Sequence, residues 1–316
     1  MSDKNSYKAI LFMLFSTLSL SMTGLMTKYL SANVEIGNLV LMRFFLPSLL
    51  LILVLALTKL RLPPKDMRKL LLIRAFNVGA SQLCFIYALE KLSLVESVVL
   101  FGTGPIFITL LERALFKVKI KASTLIAILL TFSGVILLAG DPSGLSFKPE
   151  IVIGLLAGLF NAGSQLSLHQ AAKGSMSSTE NNAWTFLCAG LFLLPIIILL
   201  NISGQVELNL LPNWGWLPIV TFIIMAMTVI ITQAMRYKAY QLADSSSQLA
   251  PLIYTNLVFS ALLQFTLFDT SFTHYQILGL VVIVSANIIC SILPMLKQQK
   301  TALQVSPHNA PKVITQ

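Results

Sequence analysis

Charge is scarce in this chain: only 11% of its 316 residues are Asp, Glu, Lys or Arg, and the acids number 12. A side-chain inventory that is 56% hydrophobic, with a mean hydropathy of +0.83, has too little polar surface to cover a water-soluble core, so a soluble globular domain is excluded. Cysteine and histidine are rarer still, with 3 of each. Cys84, Cys188 and Cys290 fall in separate apolar runs, and His169, His274 and His308 lie far apart, so the sequence spells out neither a disulfide framework nor a metal site. HExxH and GxxxxGK[ST] are both missing, and AAKGS at 171–175 lacks the leading glycine, so no ATP-driven mechanism is encoded. No cofactor is implied. An enzyme acting on lipids would gather carboxylates or histidines at an interface, whereas Glu90, Glu96, Glu112, Glu180 and Asp269 stand singly near the ends of apolar runs, where water makes charge tolerable.

Long apolar runs are abundant. Runs of the roughly 20 residues needed to cross about 30 Å of hydrocarbon occur near 9–30, 38–58, 70–91, 94–116, 121–140, 151–172, 181–201, 216–241, 248–268 and 275–295. The first follows Lys4 and Lys8 but is too long for a signal peptide and lacks a small-residue cleavage site, so it reads as an uncleaved helix. With the N-terminus inside, 17 of the 22 Lys and Arg fall in cytoplasmic segments; Lys28, Lys91 and Lys148 fall outside, and Arg43 and Arg74 fall within runs. This asymmetry places both termini in the cytoplasm and explains the net charge of +10 without nucleic acid as a partner.

The two halves of the chain echo one another. An offset of 145 pairs Lys28 with Lys173 and Glu35 with Glu180, and an offset of 151 pairs YALEKLS (87–93) with KAYQLAD (238–244). Polar residues inside the runs follow the same offsets: Ser16 with Asn161 and Ser19 with Ser164, then Asn77 with Thr228, Ser81 with Thr232, Gln82 with Gln233 and Pro105 with Asn256. Five runs per half is odd, so the second half enters from the opposite side. The expected architecture is an all-α integral membrane protein of ten transmembrane helices, an inverted repeat of residues 1–145 and 146–296, followed by a disordered cytoplasmic tail over 297–316.

The first, third and fourth runs and their mates carry the interior polarity, while the second, fifth, seventh and tenth are almost wholly apolar and read as an outer scaffold. Ser16, Ser19, Thr23 and Thr27 form one helical stripe, and Arg74, Asn77 and Ser81 another. Ser16, Ser19, Asn77, Ser81, Gln82, Thr103, Asn161, Ser164, Gln165, Thr228, Thr232, Gln233, Tyr254 and Asn256 are the candidate solute-binding residues; hydrogen-bonding glue between helices is the alternative for each. LFGTGPIF at 100–107 places Gly102, Gly104 and Pro105 inside a run, and its mate PLIYTNLV at 251–258 carries Pro251. Matched breakers free backbone groups where a helix lines a cavity, bends at a hinge or packs closely. Arg43 is a candidate anion contact, with snorkelling or pairing to Glu35 as the alternative, and Arg74 reads as a snorkelling side chain near the cytoplasmic face.

Ten runs in two halves, TKYL closing the first, RFF in the second, YALEKLS before GTGPIF, and LFDTSFTHYQILGLVVIV leading from the ninth into the tenth resemble the drug/metabolite transporter superfamily, EamA type, over about 8–295. Two positions depart from the family pattern: Val118 stands where Asp269 provides an acid in the second half, and Asn256 replaces a mid-run proline, with Pro251 earlier. The resemblance implies alternating access by a secondary transporter of the bacterial inner membrane, moving a small polar or amphipathic metabolite of the amino-acid or nucleoside-like class. The expected partners are that solute and the bilayer, with monomer and homodimer both open. An integral-membrane enzyme or lipid-handling protein, and a passive channel, are the competing classes; nothing resembles a carbonyl filter or a charged ring.

Overall fold

The computed structural model describes residues 3–91, 100–117, 120, 122–138, 150–210, 212–268, 273–275 and 277–286. The expected boundary at 145, the tail, Val118, Asp269 and Cys290 lie outside the described residues. Among the described residues there is no strand, and the helices are α1 (Asp3–Ser31), α2 (Ile36–Thr58), α3 (Lys65–Lys91), α4 (Gly104–Phe116), α5 (Ala122–Leu138), α6 (Glu150–Ala172), α7 (Ser178–Ile202), α8 (Trp216–Leu242), α9 (Thr255–Phe268) and α10 (Ile277–Ala286). Six of them, α1, α2, α3, α6, α7 and α8, are long and apolar enough to cross a membrane.

The shortness of α4 and α9 has a local cause. Helix is interrupted by a turn at Gly102–Thr103 and resumes at Gly104, with Pro105 in the first turn, where its missing N–H leaves no bond unmade. In the second half the chain passes through two 3-10 turns, Ser246–Gln248 and Pro251–Tyr254, before α9 begins at Thr255. The fourth and ninth apolar runs are therefore not continuous α-helices, and the breaks fall at Gly102 and Pro251, the positions their sequences single out.

The most extensive helix contacts are α1 with α8 and α3 with α6, followed by α2 with α7. Exchanging the halves, so that α1, α2, α3 and α4 become α6, α7, α8 and α9, turns the first pair into the second and leaves α2 with α7 unchanged. The same exchange turns the α4–α6 contact into α9–α1. A dry cluster of Leu41, Phe44 and Leu51 on α2 against Phe186, Leu193 and Ile197 on α7 closes one side of the bundle. Large apolar side chains such as Leu49, Leu53 and Leu57 on α2 and Leu199 on α7 point outward, a surface suited to lipid and not to water.

The polarity runs inward. Ser16, Thr17 and Thr23 on α1 are fully buried, and so is Thr232 on α8. One expectation is corrected here: the seventh run is apolar only in its later part, because Asn181, Asn182 and Thr185, in the first turns of α7, are buried and polar.

Candidate functional site

The two helix breaks meet. Thr103 turns its hydroxyl onto the Leu100 carbonyl (2.6 Å), and the Tyr254 hydroxyl donates to the Gly102 carbonyl (2.5 Å), so the second break satisfies a backbone group in the first. A Cβ on Gly158 of α6 would collide with the Thr103 hydroxyl and approach the Leu100 carbonyl to 3.0 Å, which shows how closely α6 lies on this turn. Asn161, one turn on, presents its amide nitrogen towards Gly104. The carboxylate of Glu112 on α4 accepts the backbone amides of Ser246 (2.7 Å) and Ser247 (2.9 Å) at the start of the other break. Glu112 is buried, which corrects the reading of it as a solvated charge near a run's end: the freed amides take the place of water.

At the end of the bundle where α3 begins and α8 ends lies a denser polar cluster. Arg74 on α3 is 1% exposed, so it does not snorkel, contrary to the sequence reading. Its guanidinium reaches sideways and donates to Asn181 Oδ1, Thr185 Oγ1 (3.2 Å), Asn182 Oδ1 (2.9 Å) and Gln233 Oε1 (3.3 Å). Three residues beyond Gln233, Arg236 is 4% exposed and donates from Nε to Ser16 Oγ (3.2 Å). Among the described residues neither guanidinium has an ion-pair partner, and the two lie within electrostatic reach of one another. Arg74 Nε, Asn181 Nδ2, Arg236 Nη2 and Thr232 Oγ1 are buried with no hydrogen-bond partner.

The remaining candidates divide into two groups. Ser16 donates to the Thr232 carbonyl (2.9 Å), Ser19 to the Thr228 carbonyl (2.8 Å) and Ser81 to the Ala157 carbonyl (2.8 Å), so these hydroxyls join α1 to α8 and α3 to α6. Thr228 accepts from Thr23 (2.9 Å), and Asn77 bonds back to the Ile73 carbonyl (2.8 Å) while its amide lies over Gly163. On α6, Gln165 contacts Asn161 (3.5 Å) and accepts from the Tyr240 hydroxyl (3.3 Å), and Ser164 is buried beside it. Gln82 and the Asn256 amide are half-buried and make no side-chain hydrogen bond among the described residues; Asn256 takes part only through its carbonyl, which accepts from Ser21 (2.7 Å). Gln233 is drawn to Arg74, and no hydrogen bond links it to Gln82.

Arg43 is half-buried without an ion pair among the described residues. Its suggested partner is engaged elsewhere: Glu35 accepts from Trp214 Nε1 (3.1 Å) and Asn209 Nδ2 (3.3 Å), in a loop that also pairs with α2 through Gly37 and Asn38. The backbone amide at Glu35 and these two side chains hold its carboxyl below the usual range, against partial desolvation that pushes it up. His169 sits near the end of α6 with Nε2 3.4 Å from the Ala243 carbonyl, a helix-end contact.

Arg236, Asn181, Asn182, Thr185, Glu112 and Tyr240 were not among the sequence candidates. A signal for two of them exists: Thr228, Thr232, Arg236 and Tyr240 recur at every fourth residue, so the α8 stripe runs straight through Arg236.

A helical bundle with an apolar exterior, a hydrogen-bonded polar interior and paired helix breaks defines a multi-pass membrane protein. The model of the EamA-like transporter family matches residues 7–140 and again 148–292, and the chain belongs to that family. It is 27% identical over 234 residues to an uncharacterized transporter of Helicobacter pylori, covering 73% of this chain and 76% of that protein. It is 22% identical over 252 residues to the pseudopaline exporter CntI of Pseudomonas aeruginosa, covering 80% and 84%. A crystal structure superposes with a TM-score of 0.68 at 17% identity, over 92% of this chain and 99% of its own, which shows a shared fold. The family and these relatives point to a transporter and away from an enzyme.

Proposed function

We propose that the protein is a secondary transporter that moves a small polar or amphipathic metabolite across the bacterial inner membrane by alternating access, with ten spans in two inverted halves and both termini in the cytoplasm. The observation that carries this reading is the meeting of the two breaks, Gly102 and Tyr254, between halves whose helix contacts exchange. A static scaffold would gain nothing from interrupting two helices in an apolar medium, whereas a carrier uses interrupted helices to present backbone groups to a solute and to bend. A relative at 22% identity is a pseudopaline exporter, so export is as open to this chain as import.

Gln82, Gln233, Asn161, Gln165 and Asn256 are the residues proposed to meet solute, and Gly102, Gly104, Pro105 and Pro251 to give the chain its flexure. Ser16, Ser19 and Ser81 hold the helices on which they sit, as their bonds to neighbouring carbonyls suggest. The test is side-specific labelling in vesicles, in a background freed of native cysteine, with Gln82→Cys or Gln233→Cys. A carrier exposes Gln233→Cys to a membrane-impermeant thiol reagent from the side where α8 ends and Gln82→Cys from the other. Equal labelling of both positions from both sides would identify a channel and end the carrier reading.

A further inference from the structure

We propose that Arg74 and Arg236 form an oxyanion-binding site, so that the transported solute carries a carboxylate or phosphate group; this rests on the transporter reading and names its substrate class. Among the described residues five buried polar side-chain atoms lack a partner, and four of them, Arg74 Nε, Arg236 Nη2, Asn181 Nδ2 and Thr232 Oγ1, belong to this one cluster. Each can donate a hydrogen bond. Buried donors are almost always paired, and a group of unmatched donors in one place is the imprint of a missing acceptor.

The charge account leads to the same conclusion. Two guanidiniums, 1% and 4% exposed, share the cluster with no ion-paired acid among the described residues, and there every acceptor on Arg74 is a neutral amide or hydroxyl. Those acceptors orient the arginine without neutralising it. Two acids elsewhere in the bundle are engaged: Glu112 holds the Ser246 and Ser247 amides, and Glu180 closes a capping box with Ser177. An uncompensated pair of buried cations is unfavourable for folding alone. It is favourable for recognition, because the guanidinium fork matches the two oxygens of a carboxylate or phosphate. Arg236 has the donors to spare, since its only side-chain hydrogen bond among the described residues runs from Nε to Ser16. Arg74 and Arg236 also lie on α3 and α8, the helices that exchange between the halves, so a bound anion would bridge the two units that move.

The experiment measures thermal unfolding midpoints of the purified full chain in detergent with succinate, citrate, inorganic phosphate or glucose 6-phosphate, against glucose and sodium chloride at matched ionic strength. At least one oxyanion is expected to raise the midpoint saturably while glucose does not, and the carboxylate and phosphate arms tell the two chemistries apart. Arg236→Gln should raise the half-saturating concentration about ten-fold or more, and Arg236→Lys, which keeps the charge but loses the fork, should fall between. Without any added anion, Arg236→Gln should unfold at or above the parent's midpoint, because it removes a buried charge that has no partner. A structural arginine does the reverse. No saturable shift from any oxyanion, an equal shift in the variant, or a ligand-free Arg236→Gln that unfolds well below the parent each overturns the proposal. Saturable flux of a neutral solute alone, in liposomes, would leave transport standing and remove the oxyanion.

Discussion

Glu112 offers a quantitative test of how the helix breaks are held. Its two carboxylate oxygens accept the amides of Ser246 (2.7 Å) and Ser247 (2.9 Å), and all three residues are buried, so no water stands ready to replace it. Glu112→Ala leaves two buried amides without acceptors, at about 1–3 kcal/mol each, so about 2–6 kcal/mol in all. Glu112→Gln keeps one acceptor oxygen but turns an NH2 towards the other amide; it should lose about half as much, roughly 1–3 kcal/mol. Equilibrium unfolding of purified protein, followed by tryptophan fluorescence in mixed detergent, should rank parent above Gln above Ala. Gln equal to the parent would show that one of the two bonds carries no stability, and Ala equal to Gln would refute the paired-acceptor argument.

Tyr254→Phe removes the hydroxyl that satisfies the Gly102 carbonyl at 2.5 Å and should cost about 1–3 kcal/mol on the same unfolding scale, with Tyr254→Ala costing more. A Phe variant as stable as the parent would show that the breaks are not coupled. Glu35, whose carboxyl titrates below its usual range, contributes stability that is present above the ordinary carboxylate range and lost as pH falls through its lowered value. The unfolding midpoint of the parent should therefore fall more steeply than that of Glu35→Gln on acidification below about pH 4.5, and parallel curves would contradict this. Replacing Cys84, Cys188 and Cys290 together by alanine should leave flux within a few-fold of the parent, since Cys84 and Cys188 are free thiols on different helices; loss of flux in a well-folded triple variant would reveal a site at one of them.

Much of the bundle was legible because lipid imposes simple rules. Apolar runs of membrane length can only become helices, and α1 through α10 fall on the runs near 9–30 to 275–295. Gly102, Gly104 and Pro105 marked the first break, and Pro251 the second, because few residues interrupt a helix so effectively. Arg74 was misread for a reason that lies in its length. A long side chain between two and three turns from a helix end, as Arg74 is in α3, can run back to the interface or sideways into the bundle, and the difference depends on what α7 presents there. Asn181, Asn182 and Thr185 supply that answer, and nothing in α3's own sequence announces them. Glu112 likewise became an amide acceptor only because the break at Ser246 lies across from it, a contact 134 residues away in sequence. Hydroxyls on α1 were recognisable as inward-facing from their spacing, but whether each meets a carbonyl or a solute is set by the depth at which α8 lies against them.

Counterflow in proteoliposomes tests transport by alternating access most directly. Vesicles containing purified protein and loaded with a high concentration of an unlabelled metabolite, from the oxyanion panel or from amino acids and nucleosides, are diluted into a trace of the same compound carrying a radiolabel. The account predicts transient uptake of label above its equilibrium level, saturable in the external solute and absent from protein-free vesicles, because a single site returns loaded from each side in turn. Uptake that rises only to equilibrium, linearly with concentration and indifferent to what is inside, would contradict it.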